Sequence, residues 1–335
     1  MKVDAGLGGD WHKIPEQVKA LEAAGFDGVR SAETSHDPFF PLMLAAEHSE
    51  QLELATSIAV AFARSPMILA NIAHDLNAYS KGRFTLGLGS QIKPHITKRF
   101  SMPWGAPAAQ MRELVLAMRA IWANWYKGAP LEFVGQHYRH TLMTPMFAPQ
   151  DTQYGAPKVI LAAVGPKMTE VAGEVADGVI LHPFSTLAYI ESVTLPAIDR
   201  GLAKASRARK DFEISYANMV VTGRDEAEFN KNKKAIAERI AFYGSTPAYR
   251  GVLDSIGVGE LQGELNAMSK QGRWQEMGSL ISDDVLNAFA VVAEPGEVAP
   301  EMLRRYAAFT DRTSASFPVA DADQRQSIVA ALRAG

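Results

Sequence analysis

The chain of 335 residues contains no cysteine. This absence excludes disulfide bonds, thiolate metal sites and a cysteine nucleophile, and it fits a reducing compartment. No apolar run approaches the ~20 residues that cross a bilayer, and the first residues, MKVDAGLGGDWH, lack the apolar stretch of a secretory signal. We therefore expect a cytoplasmic protein that does not enter a membrane.

A strong net charge is also missing. The formal net charge is -3, so no overall field would attract nucleic acid or an anionic membrane. Hydrophobic residues make up 47% of the chain, which is ordinary for a globular protein. This length suits either one large α/β barrel or two smaller domains.

Signatures of metal and serine chemistry are absent as well. The histidines are scattered, and no His-x-His pair lies on the first predicted strand. His137 and His140 are close in sequence, but they fall in a segment that looks like a hairpin insertion. No Gly-x-Ser-x-Gly elbow occurs. We expect neither a metal site nor a serine hydrolase.

Strand-like and helix-like segments alternate along the chain. The predicted strands are 2–8, 26–33, 52–62, 83–89, 158–164, 177–184, 212–221 and 311–317. The predicted helices are 14–25, 41–51, 65–82, 110–126, 166–176, 188–207 with a kink at Pro196, 226–244 and 299–309. Eight such repeats predict a (β/α)8 barrel, an α/β fold, as one domain over 1–335 with insertions near 127–156 and 246–293. A doubly wound sheet is the alternative.

The stretch GRFTLGLGS, residues 82–90, separates these two folds. Gly87 and Gly89 form the first half of a dinucleotide-binding G-x-G-x-x-G fingerprint, but the third glycine is missing. The next convincing helix begins only near residue 110. The stretch therefore favours the barrel, with both glycines at a strand end where a flat ligand or another backbone approaches closely.

Polar residues follow several of the predicted strands, where a barrel carries its active site. Residues 33–37 (Glu, Thr, Ser, His, Asp) are suited either to acid–base work or to capping the next helix. Ser90, Gln91 and His95 follow strand four, and the AAVGPK turn after strand five offers free amides and Lys167 for a phosphate. A plain βα turn is the alternative there. These patterns indicate an enzyme for a phosphorylated ligand, with its chemistry unassigned.

Several segments resemble the bacterial-luciferase-like oxidoreductases, and within them the branch that uses the deazaflavin F420. In chain order they are LEAAGFDGVRSAET, LELATSIAVAF-RSP, SKGRFTLGLGSQ, ILAAVGPKMTEVAGEVADGVILHPF and DRTSASF. They cover most of residues 1–200 and the last predicted strand. The resemblance implies the barrel fold and a flavin-type cofactor.

The resemblance also implies where the cofactor binds. Gly87 and Gly89 would leave room for its tricyclic ring, and a non-prolyl cis peptide at Ser57–Ile58 would lie behind the ring. The residues implied in cofactor binding are Thr34, Ser57, Ile58, Gly89, Ser90, Gln91, Ala162, Ala163, Val164, Gly165 and Pro166. The last five form the turn that would hold the cofactor's phosphate.

One position departs from the family pattern. F420-dependent members of the family place an Asp-His pair at the end of strand two, where this chain has Glu33 and Thr34, with His36 two residues further on. We expect His36 to be the catalytic acid or base and Glu33 to orient it. The alternative is that His36 only caps the loop before the next helix.

The resemblance leads to a functional expectation. We expect hydride transfer between F420 and a small organic substrate, either a secondary alcohol or carbonyl or an activated double bond. An FMN-dependent monooxygenase that uses O2 and a non-catalytic flavin- or deazaflavin-binding protein are the alternatives. Family barrels commonly pair, so we expect a homodimer or a higher even homo-oligomer.

Overall fold

Eight parallel strands close into a barrel in the computed structural model, which describes residues 1–314, 316–318 and 321–335. The strands are β1 (Lys2–Leu7), β2 (Gly28–Ser31), β3 (Glu53–Thr56, resuming at Ala59–Val60), β4 (Phe84–Gly89), β5 (Lys158–Ala163), β6 (Gly178–Leu181), β7 (Glu213–Tyr216) and β8 (Arg312–Thr313). Each pairs with the next, and β8 pairs with β1. The predicted (β/α)8 barrel is confirmed. We call the end where the strands terminate the mouth.

Helices follow the strands as the sequence pattern predicts. They are α1 (Ile14–Ala23), α2 (Phe39–His48), α3 (Pro66–Tyr79), α4 (Pro107–Lys127), α5 (Pro166–Val175), α6 (Leu195–Lys204), α7 (Glu226–Gly244), α8 (Arg250–Asp254), α9 (Leu261–Lys270), α10 (Trp274–Met277), α11 (Asp283–Phe289), α12 (Val298–Tyr306) and α13 (Ala322–Ala334). The start of α3 shows why the pattern works. The Ser65 hydroxyl accepts the N–H of Ile68, and Pro66 occupies the first helical position.

Two predicted strands differ from the observed elements, and one predicted helix begins irregularly. The predicted strand 212–221 divides into β7 and a separate strand, Met219–Val221, which pairs in parallel with Ala290–Val292. The predicted strand 311–317 is observed only as β8, and Ala315 lies outside the described residues. A π-helical segment, Ile190–Thr194, leads into α6. Pro196 has no N–H to continue the regular hydrogen bonds there.

The buried side chains form two clusters. The larger one surrounds the barrel and includes an apolar stripe of α4 whose residues recur at helical spacing, namely Met111, Leu114, Val115, Met118, Trp122 and Trp125. The smaller one lies among α7, the helices from α8 to α11 and the Met219–Val221 strand, with Phe184, Leu265 and Phe289 as members. Phe184 follows β6, so this second cluster reaches the mouth of the barrel.

A hairpin between α4 and β5 is fixed to α4. Its strands, Phe133–Val134 and Arg139–His140, pair antiparallel as the sequence predicts. The Glu113 carboxylate accepts the backbone N–H groups of Gln136, His137 and Tyr138 at 2.6–3.0 Å. One carboxylate on α4 therefore holds the turn of the hairpin in place.

Charged side chains are buried inside the barrel at the end opposite the mouth. Arg312 bonds to Asp4 and Glu53, and its Nε lies 3.2 Å from Glu213. Asp4 also bonds to Arg30. Burial alone would lower the pKa of Arg312, but the carboxylates of Asp4, Glu213 and Glu53 raise it above its ordinary value. These charged side chains pair with one another inside the barrel, so we assign them a structural role. The candidate active site lies at the opposite end, the mouth.

Candidate active site

Strand β3 contains a bulge near the mouth. Ala55 pairs with Thr85, whereas Ala59 pairs with Leu88. Three residues of β3, residues 56–58, therefore lie opposite only two residues of β4, which is the pattern of a β-bulge. The Ser57–Ile58 peptide bond within it is cis, as the family resemblance implies.

The two glycines of β4 admit this bulge. A Cβ at Gly87 would lie 1.9 Å from the Thr56 carbonyl oxygen, and one at Gly89 would lie 2.8 Å from Cγ1 of Ile58. The Thr56 hydroxyl accepts the Gly87 N–H at 2.8 Å and donates to the Gly87 carbonyl at 2.7 Å. The space beside both glycines is thus occupied by β3. Another backbone approaches Gly87, as one of the two interpretations predicts, whereas the neighbour of Gly89 is the Ile58 side chain.

Glu33 connects the loop after β2 to both sides of the bulge. Its backbone N–H donates to the Ile58 carbonyl at 3.0 Å, and its carboxylate accepts the Val60 N–H at 2.7 Å. The same carboxylate pairs with Arg64 at 2.7 Å. Glu33 is expected to orient His36, but none of its described hydrogen bonds goes to that residue. Its observed partners give Glu33 a structural role at the mouth.

Arg64 extends this arrangement to Asp37. Its second terminal nitrogen lies 3.0 Å from Asp37 Oδ2 and 3.2 Å from Glu33 Oε1. The guanidinium also covers the Phe39 ring at the start of α2. Sequence reasoning missed Arg64. The available signal was its position as the first charged residue after the apolar run of strand three.

The His36 side chain is exposed at the mouth. In the sequence, this residue lies between Glu33 and Asp37. Its ring is exposed and meets Trp11 edge-on, with centroids 5.5 Å apart. Trp11 comes from the loop after β1 and also touches Phe40 of α2. Within the described ranges, the His36 side chain has no hydrogen-bond partner. It is therefore available to a ligand that enters between the loops after β1 and β2.

The segment after β4, residues 90–100, is cationic and contacts the loop after β2. The Ser90 hydroxyl donates to the Gln91 carbonyl, and the Gln91 side chain accepts the Ile92 N–H. Further along, Arg99 donates to the carbonyl of Thr34 at 2.5 Å. From residue 76 to residue 112 the sequence has no Asp or Glu, but it has six Lys and Arg residues. The resulting local charge attracts anions, although the whole chain carries -3.

The turn between β5 and α5 has the form expected for anion binding. Ala162 and Ala163 end β5, Gly165 is the N-cap of α5, and Pro166 is its first residue. Gly165 has no side chain to accept the amides of the first turn. The Val164 carbonyl accepts the Tyr189 hydroxyl at 3.3 Å. The first-turn N–H groups and the positive end of the helix dipole thus face an approaching anion.

His182 is a second histidine at the mouth, directly after β6. Its Nδ1 accepts the Phe184 N–H at 3.0 Å, so Nε2 carries the proton of the neutral ring. Tyr243 and Tyr249 pack against the ring, with centroids 4.7 and 5.2 Å away. Burial lowers the pKa of His182 to about 4. The sequence shows His182 at a strand end, but only these contacts reveal that it stays neutral.

The structure brings the expected site residues to one arc of the mouth. Thr34 follows β2, the Ser57–Ile58 peptide lies in β3, Ser90 and Gln91 follow β4, and Val164 follows β5. These four strands are consecutive neighbours in the barrel. His137 and His140 lie in the hairpin outside this arc.

Within 1–314, 316–318 and 321–335, His, Asp and Glu side chains form no group of three that could hold a metal ion. In the same ranges, every helix is too short or too polar to cross a membrane.

Comparison with known proteins agrees with this geometry. The family model described as luciferase-like monooxygenase matches residues 2–312. An uncharacterized protein of Mycobacterium tuberculosis (strain H37Rv) is 51% identical over 99% of this chain and 97% of its own length. An F420-dependent glucose-6-phosphate dehydrogenase of Intrasporangium calvum is 26% identical, covering 91% of this chain and 88% of the relative.

A solved structure extends the comparison to the fold. The coenzyme F420-dependent tetrahydromethanopterin reductase from Methanopyrus kandleri superposes with a TM-score of 0.78 at 20% identity. The match covers 99% of this chain and 96% of the reductase. At that identity the likeness is one of fold.

The low pKa of His182 predicts a loss of stability in mild acid. Unfolded histidine has a pKa of about 6.5, so as the pH falls the unfolded chain binds a proton before folded His182 does. With a folded pKa of about 4, this residue should remove about 2 kcal/mol of unfolding free energy between pH 7 and pH 5. His182→Phe should lose correspondingly less stability over that interval in urea titrations. His48→Phe is the matched control and should lose as much as the wild type. Equal losses in all three proteins would contradict the assignment.

Proposed function

This chain belongs to the luciferase-like monooxygenase family, and from that premise we propose that it is an F420-dependent oxidoreductase. In this proposal it transfers a hydride between the deazaflavin and a small secondary alcohol or carbonyl, or an activated double bond. The observation that carries the proposal is the β3 bulge, held by Glu33 on the same arc of the mouth as the open turn before α5. The bulge in β3 and the uncapped start of α5, which lie on either side of β4, suit a phosphorylated tricyclic cofactor.

In the proposed binding mode, different residues hold different parts of the cofactor. The Ser57–Ile58 peptide, Gly89, Ser90 and Gln91 would hold the ring. The first-turn amides of α5 would hold the phosphate, with Ala162, Ala163, Val164, Gly165 and Pro166 forming the turn. The bound deazaflavin supplies hydride transfer at C5, and the protein supplies position and electrostatics.

Charge favours F420 over FMN in this proposal. The acid-free stretch from residue 76 to residue 112 places Lys93, Lys98 and Arg99 beside the mouth. F420 carries carboxylates beyond its phosphate, so it gains more from this field than FMN does. An FMN-dependent monooxygenase is the second candidate, because the matching family model is described as a luciferase-like monooxygenase.

We assign the acid or base to His36. An alcohol that loses a hydride must also lose a proton, and a carbonyl that gains one must gain a proton. His36 is exposed at the mouth and is free of hydrogen bonds in the described ranges, so its ring is available for that transfer. Trp11 limits the ring's movement from one side. Glu33 acts through the shape of the bulge instead.

Cofactor titration tests the proposed function. We expect F420 to bind with micromolar or tighter affinity and FMN and FAD to bind at least tenfold more weakly, measured by quenching of cofactor fluorescence. The protein should also transfer deuteride to F420 from a panel of deuterated secondary alcohols, or reduce a panel of enones with reduced F420. Tight FMN binding without F420 binding would favour the monooxygenase. Tight F420 binding without turnover on either panel would favour a carrier protein.

The role of His36 predicts a separation of rate from affinity. His36→Ala should lower turnover by ~10²–10⁴-fold and leave F420 affinity within a few-fold of the wild type. His48→Ala, on the same helix–loop unit but away from the mouth, is the control and should keep full turnover. Glu33→Gln should lower the melting temperature, because Arg64 then keeps only Asp37 as a charged partner. A His36→Ala enzyme with wild-type turnover and a lowered melting temperature would make His36 a loop cap.

We also propose that the chain forms a homodimer. Phe40 and Met43 on α2 and Ile68 on α3 are exposed, and so are Met146 and Phe147 in the segment before β5. Apolar side chains of this size are unusual on a monomer surface when they accumulate on neighbouring elements. Light scattering at micromolar concentration should give a mass near twice 36.4 kDa. A monomer would contradict the proposal.

A further inference from the structure

A cavity of about 280 Å³ lies at the edge of the mouth, between the end of β3, the segment before α4 and the hairpin. We call it the rim cavity. The cofactor positions proposed above do not use it. Its walls include Phe62, Arg64, Met102, Trp104, His137 and Tyr138.

The walls of the rim cavity are held by contacts on each side. Phe62 is fully buried in the turn after β3, and Trp104 meets its ring edge-on with centroids 6.0 Å apart. The Tyr138 hydroxyl accepts a hydrogen bond from Gln110 at 3.1 Å. The Glu113 carboxylate holds the backbone of residues 136–138. The cavity is therefore a built feature that exists before any ligand arrives.

The charges in the wall of the rim cavity favour an uncharged ligand group over an anion. Arg64 is a cation in the wall, but Glu33 and Asp37 already pair with it. An anion in the cavity would have to compete with two carboxylates for one guanidinium. An uncharged group meets aromatic surfaces and leaves those ion pairs intact.

Size limits the group further. At roughly 30 Å³ for each water-sized group, the rim cavity holds on the order of ten non-hydrogen atoms. One aromatic or alicyclic ring with a short substituent has that size. The aromatic edges of Phe62, Trp104 and Tyr138 suit a flat ring.

We propose that the rim cavity binds the uncharged ring portion of the substrate, so that the natural substrate is an aromatic or alicyclic alcohol or ketone. This inference rests on the proposed function. Arg64 connects the rim cavity to the loop that carries His36. It lines the cavity and pairs with Asp37, which follows His36 in the sequence. In this proposal, a substrate whose ring occupies the cavity extends its reacting carbon past Arg64 toward the loop that carries His36.

Calorimetric titration with small probes tests this without any turnover. The probes are 1-phenylethanol, benzoate of equal heavy-atom count, and propan-2-ol. Wild-type protein should bind one 1-phenylethanol per chain with a Kd on the order of a millimolar. Benzoate and propan-2-ol should bind at least tenfold more weakly.

Variants that fill the cavity provide the structural test. A Cβ at Gly105 would lie 3.7 Å from His137 Cε1, so Gly105→Leu projects into the cavity. It should weaken 1-phenylethanol binding at least tenfold and leave F420 affinity unchanged. Gly263→Leu is the control, since a Cβ at that helical position meets open space, and it should bind like the wild type. Met102→Trp is the second filling variant, for use if Gly105→Leu fails to fold. Met102 lines the cavity and is partly exposed, so a larger side chain there should be tolerated.

The outcomes separate this inference from the proposed function. Wild-type binding of 1-phenylethanol that both filling variants leave unchanged would overturn the inference, and so would tighter binding of benzoate. If the filling variants change only the oligomeric state, the cavity belongs to a contact between copies and the inference fails. F420 binding without 1-phenylethanol binding would overturn this inference and leave the proposed function standing. Absence of F420 binding sinks the proposed function.

Discussion

The carboxylate of Glu33 joins three parts of the mouth that are distant in sequence. It accepts the Val60 N–H beyond the β3 bulge and pairs with Arg64, while its own backbone donates to Ile58 within the bulge. Arg64 then holds Asp37 and one wall of the rim cavity. The pair is largely buried, so removing either partner leaves an uncompensated charge in a dry environment. The shape of the bulge, the loop that carries His36 and the entrance to the rim cavity all depend on this one ion pair.

Different parts of the mouth favour ligand groups of different charge. The uncapped start of α5 and the acid-free segment after β4 favour negative charge. The rim cavity, with its arginine already paired, favours an uncharged group. His182 stays neutral above a pH of about 4, so it offers an N–H without adding a charge. In the proposed function, the anionic cofactor and the uncharged substrate are thus directed to different sides of one opening.

The sequence predicts regular elements well and their long-range contacts poorly. The alternation of strands and helices and the stripe of α4 are visible because their periodicity is local. The Gly87–Thr56 contact and the Glu33–Arg64 pair each join residues about thirty positions apart, so no local pattern shows them. The strand at Ala290–Val292 was missed because it exists only by pairing with Met219–Val221. Polar positions at the strand ends are visible in the sequence and the family resemblance adds their expected roles, whereas only the three-dimensional structure shows the partners that constrain them.

A crystal structure of the protein with F420 tests the central claim most directly. The account predicts the deazaflavin ring against the Ser57–Ile58 peptide, its phosphate within hydrogen-bond distance of the first-turn amides of α5, and the ring of His36 on the open face of the cofactor. Glu33 should remain paired with Arg64 in that complex. A cofactor that lies elsewhere in the barrel, or one that displaces Glu33 from Arg64 to reach its site, would contradict the account.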